Sequence, residues 1–182
     1  MQESSPEILD MIALLTRRCD NLEKKIKNSK QWSNAMIYDF FQHRIPPPIS
    51  WEEWTTTKII VLPRHITFLH QHSFIETMQK VWIDCFSEYK EKDNSLPIVS
   101  LFKKIYICRE IPYWEELTND ILKRVLGQIQ QKMMQELENW QQKYPKEQDV
   151  YQKALTKCMS SLDNTKLMTK INTTICSCCR HQ

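Results

Sequence analysis

Three observations predict an all-α fold for this 182-residue chain, a single-domain irregular helical bundle of about six or seven helices around one long amphipathic helix. The first is a stripe: Trp114, Leu117, Ile121, Val125, Ile129, Met133, Leu137, Trp140 and Tyr144 recur at steps of three or four, which lays them along one side of a helix. Leu122, Leu126 and Met134 widen that side. Lys123, Arg124, Gln128, Gln131, Lys132, Gln135, Glu138 and Gln142 occupy the other. A helix over 114–144 is about 45 Å long and needs an apolar cover. The second observation is glycine. Average usage would supply about 13 in a chain of this length, and there is one, Gly127. The third is composition: 41% hydrophobic and 26% charged, with six each of Trp, Tyr and Phe, which is the make-up of a chain with an aromatic core.

Glycine scarcity also removes classes of function. Phosphate-cradling loops, dinucleotide-binding turns and nucleophile elbows use glycine where the backbone takes a positive φ or approaches a ligand closely. Two-residue hairpins lean on it too, which disfavours a β-rich fold.

The helices follow in order. Ser4 and Glu7 form a capping box with Pro6 in the first turn. Ile8, Ile12, Leu15, Cys19, Leu22 and Ile26 then alternate by four and three, a heptad seam of under three full heptads. It is read either as one helix of an intramolecular bundle or as an intermolecular coiled coil. A helix resumes over 32–41 with Ala35, Met36, Ile37, Phe40 and Phe41. Pro46, Pro47 and Pro48 form a stiff spacer over 45–49, without the spacing of a proline-recognition ligand.

Ser50 and Glu53 restart a helix that brings Trp51 and Trp54 together. Residues 58–62, rich in β-branched side chains, read as a strand or a buried helical turn. Ser73 and Glu76 open a third capping box, and Met78, Val81, Trp82, Cys85, Phe86 and Tyr89 mark the helix behind it as deeply buried. Pro97 is placed to open a helix through Ile98, Leu101, Phe102, Ile105 and Cys108, with a short strand over 105–108 as the alternative. After the long helix, Pro145 is a stop, and Val150, Ala154, Leu155, Cys158 and Leu162 mark one more helix. The domain plan is therefore 1–44 with the seam, 45–49 as spacer, 50–164 as helical core and 165–182 as a basic, Cys-rich tail, all in one folded domain.

The sequence opens without the pattern of a secretory signal, and no apolar run reaches the 18 or so residues of a membrane span. Seven cysteines, an odd number spread through helical patterns, fit reduced thiols. A cytoplasmic or nuclear location is expected. Net charge is +3, but the basic residues concentrate at the two ends: six against two acidic over 17–30, and five against Asp163 alone over 150–182.

Few residues suggest chemistry. His65, His70 and His72 are close in sequence, but two histidines at i and i+4 around a Glu are missing, so they read as structural. Cys19 and Cys108 sit beside arginines yet on apolar stripes, where a thiol packs as a small hydrophobe. Glu52, Glu53, Glu115 and Glu116 lie near helix starts, where the dipole accounts for them.

The end of the chain is less ordinary. Cys176, Cys178, Cys179 and His181 are metal-ligand types, but four within six residues do not readily surround one ion. Acylation of those cysteines behind Lys153, Lys157, Lys166 and Lys170 is a second reading, and a frayed terminus a third. The same four lysines would also suit a nucleic-acid backbone, though the spacing is that of a solvated helix face.

The expected function is that of a non-enzymatic intracellular adaptor or assembly subunit, binding a protein partner through apolar helix faces or the short coiled-coil seam. No cofactor, metal or small-molecule substrate is implied. The alternative is a peripheral nucleic-acid-binding or lipid-anchored membrane-associated protein acting through its basic, Cys-rich tail. Lys132, on the polar face of the long helix, is expected to cost under about 0.5 kcal/mol when truncated.

Overall fold

A computed structural model describes residues 34–90, 96–101 and 104–179, and its contacts divide the chain into two units, Met1–Arg44 and Ile45–Gln182. In the first unit the described element is α1 (Asn34–Gln42), where the Phe40 and Phe41 rings meet edge to face at 5.2 Å. The seam residues Ile8, Ile12, Leu15, Cys19, Leu22 and Ile26 lie outside the described residues.

The second unit begins with α2 (Trp51–Thr57), whose cap Ser50 accepts the Glu53 N–H through its hydroxyl. Lys58 closes α2 in the αR region, and residues 59–62, which follow it, form neither helix nor strand. Their carbonyls go elsewhere: Ile59 O accepts from Lys132 Nζ and Ile60 O from the Cys85 thiol. Then come α3 (Pro63–Gln71) and α4 (Phe74–Lys90). The capping box at Ser73 is reciprocal, since Ser73 N–H and O–H donate to the Glu76 carboxylate while Glu76 N–H donates back to Ser73 Oγ.

The all-α expectation fails over 98–116. Strands β1 (Ile98–Leu101), β2 (Lys104–Glu110) and β3 (Tyr113–Glu116) form an antiparallel sheet in the order β1-β2-β3. Ile107 stands opposite Ile98 on one side and opposite Glu115 on the other. Ile105, Tyr106, Ile107 and Cys108 are all buried. Successive strand residues point to opposite faces, so both faces of β2 are covered, and α2 and α7 (Thr165–Cys179) are among the elements that pack on it. A strand covered on both sides reads as a continuous apolar run, which is why its period of two was invisible.

The long helix α5 (Asn119–Lys143) consequently starts after the sheet, capped by Thr118, and its 25 residues span about 37 Å. Trp114, expected at its head, belongs to β3. The middle of the stripe is as the periodicity implies, with Leu122, Val125, Leu126, Ile129, Met133 and Leu137 buried, whereas Ile121, Met134 and Trp140 are half-buried and Tyr144, past the end of the helix, is exposed. Gly127 has an ordinary backbone, and a Cβ there would meet Leu162 at 3.7 Å, an unstrained contact.

Helix α6 (Gln148–Cys158) ends before Leu162, where the Gln130 carboxamide of α5 donates to the Cys158 and Ser160 carbonyls. Residues 165–179, set apart in the sequence as a tail, are the helix α7, with Leu167, Ile171, Thr174, Ile175 and Cys179 buried against α4, β1, β2 and α5. Among the described residues there are seven helices beside the three strands. At the centre Trp51, Trp54 and Trp82 form a triangle of indoles with centroids 5.7, 5.9 and 6.1 Å apart, extended by Phe86 and Tyr89.

Candidate functional site

The densest polar cluster in the second unit is built around α3. Pro63 occupies its first turn, where no N–H is needed, and the chain entering it is held by a side chain of the same turn: Leu62 N–H donates to His65 Nδ1 at 3.0 Å. Since Nδ1 accepts, the ring proton sits on Nε2, which donates to Asp84 Oδ2 on α4 at 3.1 Å. Asp84 also receives Lys80 Nζ at 2.8 Å and Arg64 Nε at 3.1 Å, and Arg64 continues to Glu88 at 2.9 Å.

Burial lowers the pKa of His65 more than its contact with Asp84 raises it, so the ring is neutral at pH 7. Burial alone would raise Asp84, but the hydrogen bonds from Lys80 and His65, with the nearby charges, hold it below the usual range. An imidazole 1% exposed with both nitrogens engaged has no free face for a substrate. This histidine and carboxylate act as a latch between α3 and α4.

Two lysines do related work at helix ends. Lys132 of α5 donates to Thr55, Thr56 and Ile59 carbonyls at 3.4, 2.9 and 2.8 Å, closing the end of α2. Burial lowers its pKa, and the expectation of a solvated Lys132 is overturned. Lys157 of α6 donates to Leu69, His70 and His72 carbonyls at 2.7, 3.2 and 2.9 Å, closing the end of α3. Of the four basic residues grouped by sequence, Lys157 is therefore committed to the fold, whereas Lys153, Lys166 and Lys170 are exposed.

The thiols are arranged for packing. Burial pushes Cys85 and Cys158 each up to about 11, and burial followed by the Glu52 charge raises Cys108. Cys179 is buried in α7, while Cys176 and Cys178 are half-buried; His181 lies outside the described residues. Among the described residues no group of three or more His, Cys, Asp or Glu is placed to hold a metal ion, and no helix is long and apolar enough to cross a membrane.

A cleft of about 390 Å³ lies where Asn119, Asp120 and Lys123 of α5 face Asp163 and Thr169, and the Lys123–Asp163 ion pair crosses it. A smaller one of about 190 Å³ lies beside Ser73 and Ser161. Neither brings together a nucleophile, a base and an oxyanion donor.

Sequence reading missed Asp84, Lys132 and the inward role of Lys157, because, Lys80 apart, their partners are 19 to 88 positions away in the chain. No family model, curated protein or solved structure matches the chain.

Proposed function

We propose that the protein is a non-enzymatic intracellular adaptor or assembly subunit that holds a protein partner through the amino-terminal seam, Ile8, Ile12, Leu15, Cys19, Leu22 and Ile26. The observation that carries this reading is that the long helix of the unit Ile45–Gln182 spends its apolar face inside the fold. The apolar face of α5 is covered by α3, α6 and α7, which leaves that helix little breadth for a partner. His65, Asp84, Lys132 and Lys157 bond to the fold. What the sequence still offers is the apolar seam, which at heptad spacing suits a second helix.

The competing reading, a polyanion or lipid surface held by the basic end, is weakened by the loss of Lys157 from its set. Replacing Leu15 and Leu22 together by Asp tests the proposal. Capture of the partner, or mass in solution where the partner is a second copy, is expected to fall while the circular dichroism of the folded unit is unchanged. Unchanged capture and mass would overturn it. Changing Lys153, Lys166 and Lys170 together to Gln is expected to leave capture intact, and a loss there would favour the basic-surface reading.

A further inference from the structure

Both ring nitrogens of His70 are buried without a hydrogen-bond partner at the point where α3 ends against α5 and α6. Its ring meets that of Trp140 of α5 at a tilt of 55° with centroids 4.6 Å apart, and Trp140 meets Tyr144 in turn at a tilt of 39°. From α6, Lys157 Nζ bonds the carbonyl of His70 itself at 3.2 Å, together with those of Leu69 and His72. On α4, Glu76 is bonded to Ser73 and interacts with His72 and Lys170. His72 is exposed and stacked on Phe68 at 3.8 Å.

We propose that His70 is an acid-triggered release for the joint at which Lys157 and Trp140 hold the end of α3 against α6 and α5. A neutral ring packs on the indole and leaves the helix end to one cation. A proton turns it into a second cation with two N–H donors, on nitrogens that have no hydrogen-bond partner, beside a helix end whose Leu69, His70 and His72 carbonyls already hold the ammonium of Lys157. Two cations then compete for one negative helix end. Either the ring or the lysine leaves, and both exits free the turn 70–73 that connects α3 to α4. Burial and the Lys157 charge lower the ring's pKa, so release follows mild acid, not neutral pH.

Amide hydrogen exchange on the full chain, near pH 7.5 and near pH 5.5 and corrected for intrinsic rates, tests the proposal. Amides over 70–73 and 156–160 are expected to exchange about tenfold faster at the lower pH, while those over 126–137 hold. In His70→Phe, which keeps the ring contact, the acceleration should fall below about twofold. If that variant does not fold, Lys157→Met serves instead: without the competing cation, the His70 ring resonance should titrate closer to its ordinary value and the acid response should vanish. An acceleration that persists in either variant, or that appears equally over 126–137, overturns the proposal.

Discussion

The two ends of α3 hold histidines in opposite states. At the start, His65 accepts from a backbone N–H and donates to Asp84, so both nitrogens are used. At the finish, His70 is half-buried with both ring nitrogens covered and idle, and the backbone there is closed instead by Lys157. Burial lowers the pKa of both rings, so titration alone would not tell them apart. The difference teaches that a buried imidazole carries structural load only through the bonds it makes, and that an unpartnered one is held in place by its neighbours.

The comparison can be broken at several points. His65→Phe should have the largest effect, about 2 to 4 kcal/mol, because it strips the bond from Leu62 and removes a partner of largely buried Asp84. A cost under about 1 kcal/mol in denaturant titration would show that the latch is idle. Lys157→Met should come next at about 1 to 3 kcal/mol, since three carbonyls lose their donor. Lys132→Met, at the end of α2, should match it. If either lysine behaves like a solvated surface residue, within about 0.5 kcal/mol, helix-end closure by buried ammonium is not what holds these joints.

The pH dependence sharpens the contrast. Both histidines have folded values below the 6.5 of the free ring, so the unfolded chain takes up protons first as pH falls. Their stability contribution is therefore complete above about pH 6.5 and is lost as pH drops from there through the folded values, by at most about 1.4 kcal/mol per unit and per group. Thermal unfolding across that range should show the loss. His70→Phe should have the smallest effect near pH 7.5, about 0.5 kcal/mol of either sign, because no hydrogen bond is given up. It should also remove one of the two acid-sensitive contributions. Should His70→Phe cost as much as His65→Phe, the idle ring has a partner after all.

Much of the helical part was legible. Ser50 and Ser73 are read correctly as caps because a cap needs only the next three residues, and the apolar repeat over 121–137 survives because a helix covered on one side shows its period. The seam over 8–26 lies outside the described residues. Trp51 and Trp54 could be paired on spacing alone, but nothing local placed Trp82 on them.

Local signals, then, determined the starts of α2 and α4 and the apolar face of α5, since these follow from neighbours three or four residues apart. Only the tertiary structure decided that 98–116 pairs as strands, that Trp114 leaves the long helix, and that 165–179 is a packed helix. The reason is the same in each case. An apolar run such as Ile105 to Cys108 is compatible with helix or strand until something covers both of its faces, and α2 and α7 belong to distant parts of the chain. Lysines follow the same logic: Lys132 and Lys157 look solvated beside their own neighbours, and become half-buried donors because carbonyls 73 to 88 positions away are left open at the ends of α2 and α3.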